Sequence, residues 1–501
     1  MPKPTDFTDQ DVALLTEAGI DLATATEHLE RLRRPPVAAR LHRPCTIGDG
    51  IEQLDPAEQA RLAAAGSAAA AEGRVTKFVP ASGAATRMFK DLLAALNGPN
   101  TPSTSPAVRE FFERLDEFPF SDDLRRRAKI AGPPESEAEE RHLLRILLEE
   151  MRYADLPKAL IPFHRADPSR TPLEEHLLEG AEYARDRNGI SRLHFTVPAD
   201  NRSRFESAVE QMKRALEARL GDIGFHVSLS IQERSTDTLA LDESGGPFRL
   251  DDGRLLLRPA GHGSLLRNLQ QSGGDIVVIK NIDNVVPHER SAEVVHWKQV
   301  LIGRLAALQA EVFACLEALT PDWNENVVDE AARLATSLFG RQLPATSTLA
   351  ARRQAVIAAL NRPLRVCGVV QNLGEPGGAP FWVEHSSGEI TVQIVEAAQV
   401  DQNDPQQLAI FDASSHFNPV DVVCGLRSFD GTPFELDRFV DPDTAFVSSK
   451  TFEERQLTCL ERPGLWNGGM AGWNTVCVDV PASTFAPVKS VMDLLRPAHR
   501  S

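Results

Sequence analysis

The stretch from Val75 to Leu96, VTKFVPASGAATRMFKDLLAAL, decides the fold class. VTKFVP is a short apolar run of strand length, ASGAAT is a turn of small residues, and RMFKDLLAAL carries the apolar spacing of an amphipathic helix. A strand, a tight turn and a helix in that order form the first half of a parallel βαβ unit, and helix amides at such a turn can bind an anion.

Outward from this stretch the same alternation returns. RLHFTV (192–197) reads as a strand, about 201–219 as an amphipathic helix, and FHVSLSIQ (225–232) as a strand. Short strands follow around TLAL (238–241) and RLLLRP (254–259), then a helix from about 264 and the strand DIVVIK (275–280). This pattern predicts a mostly parallel sheet covered by helices, with ligands at the carboxyl ends of its strands.

Before Val75, two helices are expected over 8–33, opened by Thr8 and stopped by Pro35-Pro36, and a third from Asp55 with Glu58 completing a capping box. Ser105-Pro106 opens a further helix and 135–152 forms another. Residues 289–361 read as helical, divided by Pro321 and the cap-like Ser347. A strand-rich block starts with RVCGVV at 365, a hairpin FWVEHSSGEITVQIVE turning at Ser-Ser-Gly, VDVVCGL, the strand TVCVDV (475–480), and a last helix from about 490. The expected division is an N-terminal helical region (1–73), a nucleotide-binding α/β core (74–288), a helical insertion (289–362) and a C-terminal α/β part (363–501).

The chain has 501 residues and a formal net charge of −17, from 54 basic and 71 acidic residues. That balance disfavours nucleic acid and anionic membranes as partners, so an anionic substrate needs a local basic site or a bound cation. Six cysteines are scattered without a C-x-x-C pair, which argues against a disulfide framework and a zinc cluster. The start MPKPTDFTDQD lacks an apolar signal core, and the expected location is cytoplasmic.

Polar and glycine-rich clusters sit where strands should end. In the first, Ser82, Gly83, Ala84, Ala85 and Thr86 allow close approach of backbone amides to a phosphate, with Arg87 as a neutralising cation; a purely structural turn uses the same residues. Lys158 lies in LPKALIPFH, where flanking prolines restrict the backbone; His164 of that segment reads as a hydrogen-bonded structural residue. In RPAGHGS, Gly261, His262 and Gly263 can pack over a flat ligand such as a base or ribose, or form an ordinary turn. Asp283, in IKNIDN after an apolar strand, suits a hard oxygen ligand for Mg²⁺, or a capped turn. NLGEPGG (372–378), HFNPVD with Asp421, WNGGM (466–470) and APVK with Lys489 mix glycine, aromatic and polar groups in the manner of a shaped cleft.

Taken together, VPASGAATRMFK, LPKALIPFH, RPAGHGSL, IKNIDNV, GEPGGAPFWV, HFNPVD and PGLWNGGMAGWNT resemble a bacterial family, DUF4301-like, related to the UDP-sugar pyrophosphorylases. The resemblance to that family extends over nearly the whole chain, and the resemblance to the pyrophosphorylases over short ordered motifs. It implies a glycosyltransferase-A-like (Rossmann-like) α/β fold with helical insertions. It also implies an Mg²⁺-dependent nucleotidyltransferase that joins a nucleoside triphosphate to a phosphorylated small-molecule acceptor and releases pyrophosphate.

In that reading residues 81–88 cradle the triphosphate, Arg87 contacts the β- and γ-phosphates, and Lys158 and Lys489 meet the transferring or acceptor phosphate. Asp283 holds Mg²⁺ with Asp421 as a second ligand, Gly261–Gly263 shape the nucleoside pocket, and Gln232 matches a uracil-contacting glutamine by position, making UTP the candidate nucleotide. The loop departs from the family's GGxGT by reading SGAAT. A glycosyltransferase of the same fold and a non-catalytic nucleotide-binding scaffold are the alternatives.

Overall fold

The computed structural model describes residues 7–34, 37–83, 85–320, 323–343, 348–374 and 377–500. Pro35, Pro36, Ala84, Pro321, Ser347, Glu375 and Pro376 lie outside these ranges. The chain is α/β, with a mostly parallel nine-stranded sheet flanked by helices. It divides into two compact units interleaved along the sequence: 1–62, 232–278 and 301–480 form the first, and 63–231, 279–300 and 481–501 the second.

The second unit contains the stretch that decides the class. Its strands Val75–Pro80, Ile190–Val197 and Gly224–Ile231 pair in parallel, with Lys77 opposite Leu193 and Leu193 opposite Val227. Helices Pro172–Tyr183 and Arg202–Leu220 pack with them around Val79, Phe195, Leu177 and Phe205, as strands covered on both faces require. Lys77 is fully buried in this otherwise apolar strand, and the helix explains how: its Nζ donates to Glu179 Oε1 at 3.0 Å, while Lys280 Nζ reaches Glu179 Oε2 at 2.6 Å. Burial alone would raise the Glu179 carboxyl, but Lys280 and Lys77 outweigh it and hold it well below the usual range.

A helical insertion with its own apolar cluster follows, built on Phe111, Phe118, Phe120 and Leu147. The single helix expected over 135–152 is instead Glu137–Arg145 continued by a wider turn over Ile146–Glu150, where the Met151 amide reaches Ile146 O at 2.8 Å. Arg152 then adopts φ +60 and ends it.

In the first unit, Thr46–Ile47, Gly50–Glu52, Asn474–Asp479 and Leu364–Gln371 run parallel in that order, and His416–Gly425 adds antiparallel to Leu364–Gln371. Val420, at φ +61, marks an irregularity in the last strand. The expected hairpin is Ala379–Glu384 with Ile390–Val395, turning at Gly388 with φ +81. The region after 289 contains helices Ala292–Ala318, Glu325–Phe339 and Leu349–Leu360. The first is long and apolar, and from Leu301 onward it buries Leu305, Leu308, Val312 and Leu316, the stripe of a core helix. The capping expectations hold: Thr8 accepts from the Asp11 amide, and Asp55 Oδ1 accepts from the Ala57 and Glu58 amides.

Three local expectations need correction. RLLLRP forms only isolated bridges, Leu255 to Arg249 and Arg258 to Thr238, because the turn at Gly253 and Pro259 leaves no room for a longer ladder. The helix after the first loop starts at Lys90, with Ala85–Arg87 in a tighter single turn. The last helix, expected from about 490, is a short 3₁₀ helix Val491–Leu495 followed by Pro497–His499, since Pro497 supplies no amide and Arg496 before it sits at ψ 151.

Candidate active site

Within the second unit, three segments far apart in sequence converge on one carboxylate. The strand Ile276–Lys280 ends in a turn closed by the Asn284 amide on Asn281 O, and this turn presents Asp283. Lys158 follows Pro157, whose ring fixes an extended entry, and begins the single turn Lys158–Leu160. Its Nζ donates to Asp283 Oδ2 at 2.8 Å and to Val488 O at 2.7 Å. Lys489 Nζ stands 3.7 Å from the same Oδ2 and is largely exposed.

The segment carrying Lys489 is fixed to the Asp283 turn by its backbone. Ala486 N donates to Asn284 Oδ1 at 2.9 Å and Val488 N to Asp283 O at 3.0 Å. Asn284 and Val488 therefore build the site, although from the sequence alone neither side chain has a chemical role of its own. Their only sequence signal is membership of the two motifs they join.

The small-residue loop is fastened to the Lys158 segment. Ala85 N donates to Leu156 O at 3.0 Å, Lys158 N to Gly83 O at 3.3 Å, and Thr86 Oγ1 to Ala154 O at 3.0 Å. Ala85 and Thr86 thus spend those donors within the protein, and among the described residues the amides of Ser82 and Gly83 have no hydrogen-bond partner. Arg87 is exposed. Nothing lies within 4 Å of the position a Cβ would take on Gly83, so the loop surface is open there.

Two ammonium groups against one carboxylate leave this spot locally positive within a chain of net charge −17. A lysine ammonium has three donors, and Lys158 uses two of them. A phosphate dianion can take the place of the Asp283 carboxylate in front of both lysines, by charge and by donor count. Asp283 presents a single carboxylate here, with both ammonium groups on its Oδ2, and among the described residues no group of three His, Cys, Asp or Glu side chains stands together as a metal site.

The remaining expected residues belong to the first unit. Gln232 follows the strand Gly224–Ile231, with its Nε2 3.4 Å from Asp237 Oδ1. Asp421 lies on His416–Gly425 at 2% exposure, an enclosed position for a carboxylate that must admit a hydrated cation.

The Gly-His-Gly loop packs on protein. His262 stacks on Trp466 with centroids 4.0 Å apart at 11°, and its Nδ1 accepts from the Leu465 amide at 2.9 Å. Burial lowers the His262 imidazole to about 4, so it is neutral, with its proton on Nε2. Gly261 needs glycine for φ +74, and a Cβ on Gly263 would fall 2.1 Å from Pro463 O. Close packing against the 461–466 segment therefore accounts for both glycines, and the flat partner of His262 is a tryptophan of the WNGGM cluster.

The family described as "Domain of unknown function (DUF4301)" matches residues 8–500. No curated protein sequence matches the chain. Among solved structures, the uridine diphosphate N-acetylglucosamine pyrophosphorylase from Trypanosoma brucei, in complex with an inhibitor, is similar at 14% identity and a TM-score of 0.46, over 98% of this chain and 79% of that one. A variant UDP-glucose pyrophosphorylase from Leishmania major, in complex with UDP-glucose, is similar at 12% identity and a TM-score of 0.45, over 100% and 80% of the two chains. At these values the likeness assigns neither substrate nor activity.

Proposed function

The chain belongs to the DUF4301 family, and from that premise we propose that it is a nucleotidyltransferase: it moves a nucleoside monophosphate from a nucleoside triphosphate to a phosphorylated small molecule, with release of pyrophosphate. The observation that carries the proposal is the convergence of Lys158 and Lys489 on Asp283, beside the fastening of the Lys158 segment to the open Gly83 loop. Such a pair of ammonium groups supports a reading in which the site handles phosphate groups.

The proposed step needs no strong base. An acceptor phosphate oxygen, already anionic near neutral pH, attacks the α-phosphorus in line. One P–O bond forms there, the bond to the bridging oxygen of the β-phosphate breaks, and pyrophosphate leaves with that electron pair. The protein's task is to align two polyanions and offset their repulsion, which preorganised cations achieve. Lys158 and Lys489 face the transferring and acceptor phosphates, Arg87 the β- and γ-phosphates, and the Ser82 and Gly83 amides lie along the chain of phosphates. Mg²⁺ enters as part of the nucleotide substrate, with Asp283 the protein oxygen nearest to it in the proposal; no metal is placed on Asp421. Uridine, the base that the resemblance matches to Gln232 by position, is the first to try, with a sugar phosphate as the first acceptor.

Exchange of labelled pyrophosphate into nucleoside triphosphate tests this, run with nucleotide sugars as donors. Label in one triphosphate, dependent on one nucleotide sugar and lost in Lys489→Ala, is the expected result. Tight nucleotide-sugar binding with no exchange across the panel contradicts it.

A further inference from the structure

His164 belongs to the LPKALIPFH motif, yet it lies in none of the contacts around Asp283. It is fully buried in the second unit, and its Nδ1 is 2.9 Å from Glu175 Oε1, an oxygen that also receives Arg170 Nε at 2.7 Å. The other Glu175 oxygen accepts from the His288 amide at 3.0 Å, and Arg170 continues to Glu289. On its far side, His164 Nε2 is 3.0 Å from His499 Nδ1, with the two rings stacked at 5.3 Å and 20°.

The Glu175 carboxylate accepts from His164 Nδ1, and His164 Nε2 and His499 Nδ1, 3.0 Å apart, share one proton between them. The other ring nitrogen of His499, Nε2, is buried. His499 sits in the segment 481–500, which also carries Lys489. The segment is also held by the Ala486 and Val488 amides on the turn of Asp283 and Asn284, by Val488, Val491, Leu494 and Leu495 in an apolar cluster, and by Asp493 Oδ2, which accepts from the Lys489 and Ser490 amides.

We propose that Glu175, His164 and His499 form a proton-operated latch: while His499 is neutral it holds the 481–500 segment in place and so positions Lys489, and a proton on His499 releases the segment. This rests on the reading that Lys489 serves the phosphate site. His164 and His499 are positioning residues and touch no reacting atom.

The charges around the pair give the direction. His499 faces His164, with Arg496 opposing a proton and Asp493 and the Ala486 backbone favouring one. His164 faces Glu175, behind which stand Arg170, Glu289 and Glu174. Burial is the largest effect and lowers His499 to about 4. A free imidazole titrates near 6.5, so the released segment takes up the proton that the docked one refuses. Between pH 7 and pH 5 these two values raise the open fraction about 20-fold.

Hydrogen exchange on the full chain tests the latch. After correction for intrinsic rates, amide protection across 484–500 is expected to fall about 20-fold more than that of strand 190–197 between pH 7 and pH 5. His499→Gln, which keeps a donor but takes no proton, should lose that excess fall, keep its turnover at pH 7 and lose the acid limb of kcat/KM. Equal falls in wild type and variant, or no excess fall in wild type, overturn the latch. Should His499→Gln not fold, the wild-type protein decides: a His499 ring titrating near 6.5 with the segment still protected is the contrary result. The exchange experiment does not depend on activity, so failure of the latch and failure of the nucleotidyl-transfer reading are separate outcomes.

Discussion

Replacing Lys158 with methionine removes one ammonium and keeps most of the side chain's apolar stem. Two hydrogen bonds disappear, to Asp283 Oδ2 at 2.8 Å and to Val488 O at 2.7 Å. Breaking a fully buried pair costs about 3–5 kcal/mol and an exposed one about 0–1 kcal/mol. Lys158 and Asp283 side chains are each 12% exposed and Lys489 remains 3.7 Å from the carboxylate, which places the folding cost between these limits. About 2 kcal/mol is the resulting figure, small enough for the protein to remain folded. The effect on an incoming phosphate is separate. One charge-assisted hydrogen bond contributes about 1.5–3 kcal/mol, which corresponds to roughly 10- to 150-fold in affinity. Titration calorimetry with Mg²⁺-free pyrophosphate reads this directly, and a thermal melt confirms folding. A folded Lys158→Met protein that binds pyrophosphate within twofold of wild type refutes the argument that this ammonium serves phosphate.

Asp283→Asn should act in the opposite direction on the same probe: with the competing carboxylate neutralised, Mg²⁺-free pyrophosphate binds roughly fivefold tighter, about 1 kcal/mol. In the same variant, the Mg²⁺ dependence of nucleotide binding should weaken, which titrations with and without the cation measure. For His499, a folded value of about 4 against about 6.5 unfolded means that its contribution to stability is fully present above pH 6.5 and is lost as pH falls towards 4. The contribution amounts to at most about 3 kcal/mol, and urea midpoints at pH 7 and pH 4.5 for wild type and His499→Gln measure it. Gly263→Ala brings a Cβ to 2.1 Å from Pro463 O and forces backbone to move, so a loss of about 2–3 kcal/mol and a change in Trp466 emission are expected.

The α/β class was legible because a parallel sheet buries both faces and writes each strand as a short apolar run followed by a helical pattern, as in Val75–Leu96. Helix starts were legible where a cap is local, at Thr8 and Asp55. What joins Asp283 to Lys489 was not, because the Ala486–Asn284 and Val488–Asp283 backbone bonds span about two hundred residues and depend on no side-chain pattern beyond Asn284. Lys77 was read as part of an apolar strand because its partner Glu179 lies on a helix a hundred residues on. The Gly-His-Gly loop was read as packing over a flat ligand or as an ordinary turn, and that His262 stacks instead on Trp466 required tertiary structure. His499 carried no sequence signal at all, since an isolated histidine after a proline-broken segment has no periodicity to mark it as buried.

The central claim is nucleotidyl transfer, and its most direct measurement is pyrophosphate release by the purified protein with Mg²⁺, each common nucleoside triphosphate in turn, and a pool of sugar phosphates and other phosphorylated metabolites. Release that requires one triphosphate and one acceptor, and that falls by about 10²-fold or more in Lys489→Ala, is the predicted result. Measurable triphosphate binding with no release for any combination contradicts the claim and turns the site into one that binds nucleotide without transferring it.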